Sequence, residues 1–93
     1  MDAEADLERR YQEILAAVER NKGEEFSFQE AERRILDGEG WASGKWRLQH
    51  APDGTVRLGS LQADGSYNWI KPIYYPPILL DLKWHVVDTL PMN

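Results

Sequence analysis

A chain of 93 residues that is 42% hydrophobic and 29% charged describes one globular domain with a modest core and excludes wholesale disorder. It has no cysteine, which excludes a disulfide framework and a thiolate metal site. The net charge of −5 is uneven: residues 1–40 carry twelve acids against six bases, and residues 41–93 four against five, so binding to the backbone of DNA or RNA polymers is not expected.

Residues 3–21 are expected to form a helix. Leu7, Tyr11, Ile14, Leu15 and Val18 recur at helical spacing among charged positions, and Asn21-Lys22-Gly23 supplies a stop. The apolar stripe is narrow, close to a coiled-coil seam, and suits docking on a sheet or pairing with another copy. Met1-Asp2-Ala3-Glu4 does not lead a basic segment into an apolar run, so no secretion signal is read. The longest apolar stretch, Pro76 to Leu80, is too short to span a bilayer. A cytoplasmic protein that contacts no membrane is the expectation.

A second helix is predicted over 28–37. Ser27 followed by Glu30 is a capping box, Phe28, Ala31 and Ile35 share one face, and Gly38 stands where a left-handed end is wanted. From Trp41 the pattern changes to strands and turns. Trp46, Leu48 and His50 alternate with Lys45, Arg47 and Gln49. Ala51-Pro52-Asp53-Gly54 is a turn signal before a return strand from Thr55 to Leu61. Ala63-Asp64-Gly65-Ser66 is a second turn, ahead of a short strand at 67–70. Residues 71–77 hold three prolines and two tyrosines and read as an extended loop or edge segment. A last strand is predicted from Leu79 to Val87, with Leu80, Leu82, Trp84 and Val86 on one face. The fold class is α+β: two N-terminal helices, then a mainly antiparallel, twisted sheet. Residues 1–25 form the N-terminal helix unit and 26–93 the helix-plus-sheet unit of one compact domain.

The aromatic residues are concentrated late. Trp41, Trp46, Trp69 and Trp84 all lie in the second half, with Tyr67, Tyr74 and Tyr75. Trp46 and Trp84 sit in alternating strands beside aliphatics and read first as core. Trp69 lies among Tyr67, Asn68 and a Pro-Tyr-Tyr-Pro loop, where an exposed, rigid aromatic suits binding.

No catalytic constellation is present. Gly38, Gly40 and Gly44 precede no P-loop lysine–serine pair, and Ser43-Gly44 and Ser60 lack a nucleophile-elbow setting. His50 and His85 are distant in sequence and have no local metal-ligating partner. The chain is therefore read as a non-enzyme that needs no cofactor and no metal.

One ordered set of residues goes beyond a generic α+β pattern. Phe28-x-x-Ala31-x-x-x-Ile35-x-x-Gly38 is followed by Trp46, then by Asp64-Gly65-Ser66 with Trp69 three residues on, then by Leu79-Leu80-Asp81-Leu82-Lys83-Trp84-His85-Val86-Val87. Over about residues 26–88 this resembles the small phage proteins of the second Thoeris anti-defence family. The chain departs from that pattern after Trp46, where Arg47-Leu48 replaces Asn-Gly, and after Trp69, where the usual serine and acid are missing. The resemblance implies a non-catalytic sponge, a homo-oligomer (dimer or tetramer), in the cytoplasm of an infected bacterial host. Such a sponge binds a small cyclic nucleotide immune signal, whether a cyclic ADP-ribose isomer or the cyclic oligonucleotide of a CBASS-type defence. It places Trp46, Trp69 and Trp84 at the family's aromatic positions and Asp64-Gly65-Ser66 at its turn.

The residue chemistry is compatible with that role. Trp69, Tyr67, Tyr74, Tyr75, Trp46 and Trp84 supply faces for stacking bases, and Asp64 and Asn68 supply groups for ribose or base edges. Lys71, Arg47 or Lys83 supplies charge for phosphate. A protein–protein inhibitor or adaptor acting through the acidic helices or the aromatic loop is the alternative, and a nucleotide-processing enzyme comes third.

Overall fold

The structure is a computed structural model and describes residues 3–35 and 38–92. Helix α1 runs Ala3–Arg20 and helix α2 Phe28–Arg34, with β1, Phe26–Ser27, between them. Strands β2 (Gly40–Ser43), β3 (Trp46–His50), β4 (Val56–Leu61) and β5 (Tyr67–Ile70) follow, then a short helix α3 (Pro77–Leu80) and β6 (Lys83–Val87). The six strands form one antiparallel sheet in the order β1-β6-β2-β3-β4-β5. The α+β expectation holds.

Cross-strand partners share a face of a sheet, so the register sorts the side chains. Val86, Trp41, Leu48, Leu58 and Ile70 form one row across β6-β2-β3-β4-β5. The neighbouring row, on the opposite face, is His85, Ala42, Arg47, Gly59 and Trp69. The first face carries the core. Trp41, Leu48, Leu58 and Trp84 pack there with Phe28, Ala31 and Ile35 and with Leu79 of α3. Phe28 meets Trp84 edge-on at 5.8 Å and Tyr75 at 4.8 Å between ring centroids.

Helix α2 starts where the capping residues place it: Ser27 Oγ accepts from the Glu30 N–H at 3.2 Å. The Glu30 carboxylate turns instead to Arg33, at 2.6 Å. Gly38 adopts φ +86°, as expected, while the end of the predicted 28–37 helix falls on residues outside the description.

Two turns share one chemistry. In Ala51–Thr55 and Gln62–Ser66 a glycine N–H bonds back to the carbonyl three residues earlier, at 2.9 Å in both. In each, the preceding aspartate accepts from the backbone N–H two residues on, at 2.9 Å, and from that residue's hydroxyl, at 2.6 Å. Gly54 and Gly65 take φ +83° and +86°, a conformation other residues adopt at a cost. The result is two successive hairpins of the same loop length.

The predicted strand from Leu79 to Val87 is corrected. Pro76 and Pro77 begin a helical turn, since proline at the first helical position has no N–H to lose. Leu79 is fully buried and Leu80 half-exposed, the reverse of the predicted face, and the strand begins only at Lys83. Strand β1 and strand β2 carry too few residues to show a period of their own.

Candidate functional site

Helix α1 lies over the face opposite the core. Val18 is buried there, and a Cβ on Gly65 would come within 2.6 Å of the Arg10 side chain. Contact loosens toward the N-terminus: Ile14, Leu15 and Tyr11 are half-buried and Leu7 is exposed. The gap left beneath that end of α1 is a cleft of about 690 Å³. Leu7, Glu8, Tyr11 and Gln12 form its helical wall, Lys45 and Trp46 one side, and Ser60 to Asp64 the floor and far side.

The cleft follows from local chemistry. Gly44, at φ +56°, turns the chain tightly between β2 and β3, placing Lys45 and Trp46 at the end of the sheet. Trp46 packs part of its ring on the core and is only half-buried. Lys45 Nζ stands 4.9 Å from the centre of the Trp46 ring, a cation held beside a flat apolar face. Gln12, Ser60 and Gln62 add neutral polar groups, with Gln62 Nε2 bonded to the Ser60 hydroxyl at 2.9 Å. Asp64 reaches the rim, but its Oδ1 is committed to the Ser66 turn, and those bonds hold its carboxyl below the usual range.

A second aromatic assembly lies away from the cleft. Tyr67 and Trp69 stack with centroids 5.7 Å apart, and the Arg47 guanidinium lies 5.3 Å from the Tyr67 ring centre. Arg47 also donates to the Tyr67 hydroxyl at 3.2 Å and to the Asp88 carbonyl at 3.0 Å. Trp69 lies over Gly59, where a Cβ would fall 2.6 Å from the indole ring. The C-terminal segment crosses beside them, fixed by Gln49, which donates to the Leu90 carbonyl at 2.6 Å and accepts from its N–H at 2.9 Å.

The eleven residues picked out from the sequence therefore divide, and Lys83 among them is exposed at the start of β6. Trp46 and Asp64 meet at the cleft. Arg47, Tyr67 and Trp69 form the stack on the face opposite the core but away from the cleft, with the Arg47 guanidinium and the Tyr67 hydroxyl engaged internally. Asn68 is exposed on β5 and points to the face opposite its neighbours Tyr67 and Trp69. Trp84 is fully buried, its indole N–H directed at the Leu79 carbonyl at 3.4 Å, and Tyr75 is packed against Phe28; Trp84 presents no face to a ligand. Lys71 and Tyr74 are exposed in the connector after β5. Lys45, Tyr11, Gln12 and Gln62 line the cleft and were not singled out from the sequence. Their signal was weak: Tyr11 is the one aromatic in the α1 stripe, and Lys45 is a charge beside a tryptophan.

Among the described residues no three histidines, acids or cysteines gather to hold a metal ion, and no helix is long and apolar enough to cross a membrane. No protein-family model, no curated protein and no solved structure matches the chain.

Proposed function

We propose that the protein binds a small cyclic nucleotide in the cleft beside Trp46 and holds it without turnover. The observation that carries this reading is the cleft itself. Its volume of about 690 Å³ lies within the range of small-molecule sites, and it joins a half-exposed indole and a tyrosine to a lysine and neutral amides. Stacking on an aromatic ring contributes roughly 1–3 kcal/mol per base. In this reading Lys45 pairs with a phosphate, and Gln12 and Gln62 bond ribose or base edges. The family resemblance adds the biological role: sequestration of an immune signal in an infected bacterium, by a homo-oligomer. The absence of a catalytic constellation in the sequence is what simple sequestration requires.

The test is a thermal-shift and Trp-fluorescence screen of the full chain against cyclic dinucleotides, cyclic trinucleotides and cyclic ADP-ribose isomers. One of them raises Tm at saturation and comes back chemically intact from the denatured protein. Lys45→Glu weakens that binding by roughly tenfold or more, which corresponds to about 1.4 kcal/mol, without lowering Tm. Silence across the panel, or recovery of an altered nucleotide, overturns the reading.

A protein-binding adaptor is the second reading, favoured by the connector after β5. Ile73 is 98% exposed, Tyr74 76% and Ile78 66%, a density of bare apolar side chains not found elsewhere among the described residues. Co-purification of a host protein that Tyr74→Asp abolishes would support it.

A further inference from the structure

The sheet ends on one side at β5, and nothing among the described residues pairs with that edge. The direction of its backbone groups is fixed by the hairpin. Gln62 N–H bonds the Ser66 carbonyl at 2.7 Å, so bonded and non-bonded pairs alternate from there. Ser60–Asn68 and Leu58–Ile70 are the bonded pairs, while Leu61–Tyr67 and Gly59–Trp69 are not. Tyr67 and Trp69 therefore aim both their N–H and their C=O groups outward, away from β4. Four backbone groups stand in a line with no partner among the described residues.

The edge also lacks the usual defences. Natural edges carry charges, prolines or bulges that discourage pairing. Tyr67-Asn68-Trp69-Ile70 has none of these, and from Gly65 to Leu80 the only charge is Lys71. The opposite edge, β1, is two residues long and adjoins the Lys22–Glu25 ion pair. In a chain of net charge −5 with its acids concentrated in residues 1–40, β5 is the strand two copies can bring together with least repulsion.

We propose that β5 pairs antiparallel with β5 of a second copy about a two-fold axis through Asn68, extending the sheet to twelve strands. An isologous pairing sets residue i against j and j against i. With Asn68 on the axis, Tyr67 faces the second copy's Trp69 and Trp69 its Tyr67. All four outward groups of each copy are then satisfied by four hydrogen bonds. A shift of one residue toward the C-terminus would instead set Lys71 opposite Tyr67 and bring Pro72, which has no N–H to give, to the junction. On one face the Tyr67–Trp69 stacks of the two copies adjoin. On the other, the row Trp46, Ser60, Asn68 continues through the axis into the same row of the second copy. At about 4.8 Å per strand the two Trp46 residues then stand about 24 Å apart, so both clefts open on one surface. The pairing does not depend on what fills the cleft, and the two ideas fail separately.

The experiment uses the full chain, which has no cysteine of its own. Asn68 would be a non-bonded pair across the axis, with Cα atoms about 4.5 Å apart, within disulfide reach. Asn68→Cys is expected to form a covalent dimer under mild oxidation, much faster than the exposed control Glu24→Cys. Sedimentation of the unaltered protein is expected to give a multiple of twice 10.8 kDa, and Asn68→Lys, which sets two like charges face to face, to halve the assembly. A monomer at tens of micromolar overturns the proposal. So does an assembly that survives Asn68→Lys with Asn68→Cys crosslinking no faster than the control.

Discussion

The row Val86–Trp41–Leu48–Leu58–Ile70 and the row His85–Ala42–Arg47–Gly59–Trp69 cross the same five strands one residue apart, on opposite faces. The first has an apolar side chain at every position, and its middle is sealed by α2 and α3. The second alternates ionisable, small and aromatic residues and is covered by a helix that fits loosely at one end and by a C-terminal segment held through side-chain hydrogen bonds. Burial is non-directional and tolerates no gaps, so the first face is where stability resides. Hydrogen bonds are directional and contribute little net, so the second face can keep a cleft open at modest cost. One sheet thus carries a structural side and an adaptable side.

The core face is most vulnerable at Trp84. It is fully buried among Phe28, Leu79 and Trp41, and Trp84→Ala would remove a large side chain from a site too crowded to collapse. The expected loss is about 3–5 kcal/mol. A domain of this size has about 5–15 kcal/mol in all, so the variant is expected to melt tens of degrees lower or to be unfolded at 37 °C. A Tm within a few degrees of the parent would show that the core does not depend on this face.

Much of the core face was legible because its signals are local. The alternation of Trp46, Leu48 and His50, the Asp-Gly turns and the Phe28, Ala31, Ile35 stripe all operate within a few residues and were honoured by the fold. The region around Leu79 was misread because apolar residues in unbroken succession fit a strand and a buried turn of helix equally well. Pro76-Pro77 held the deciding information. The cleft was not legible. It exists because α1, far off in sequence, rests against Gly65 near its middle and stands away from the sheet at Leu7. Arg47 illustrates the same limit: it reads as a free cation, but its partners Tyr67 and Asp88 arrive from β5 and from the segment that follows β6.

On the second face Gln49 holds the C-terminal segment. This buried amide imitates a strand partner for Leu90, accepting from its N–H and donating to its carbonyl. Gln49→Leu keeps the volume and removes both bonds. The expected cost is about 1–3 kcal/mol, the net value of two hydrogen bonds, since a freed Leu90 backbone would turn to water. Hydrogen exchange separates this from a core effect. Exchange at the Leu90 amide should accelerate toward the unprotected rate while amides of β3 and β4 stay protected. Equal protection of Leu90 in both proteins would mean that the segment is held by something other than Gln49.

The smallest effect expected is a pH dependence from His85. It is 1% exposed, in the same row as Ala42 and Arg47, and its Nε2 has no hydrogen-bond partner among the described residues. Burial, then the Lys22 charge, pushes its pKa below the ordinary value of 6.5; Arg47 acts in the same direction, and Glu19 and Glu25 oppose it. An imidazolium here would carry an N–H with no acceptor. As pH falls below about 6.5 the unfolded chain takes up a proton that the folded chain refuses, and stability drops until the folded pKa is reached. The acids Glu25 and Glu30 have lowered pKa values, so their contributions persist until pH falls below their ordinary 4.5. The interval from 6.5 to 4.5 therefore isolates the histidine from these acids. Urea denaturation across it should show stability declining in the parent and a flatter profile in His85→Gln. Identical slopes in the two proteins would place the charge change elsewhere, and the face under α1 would then be more open to water than its packing indicates.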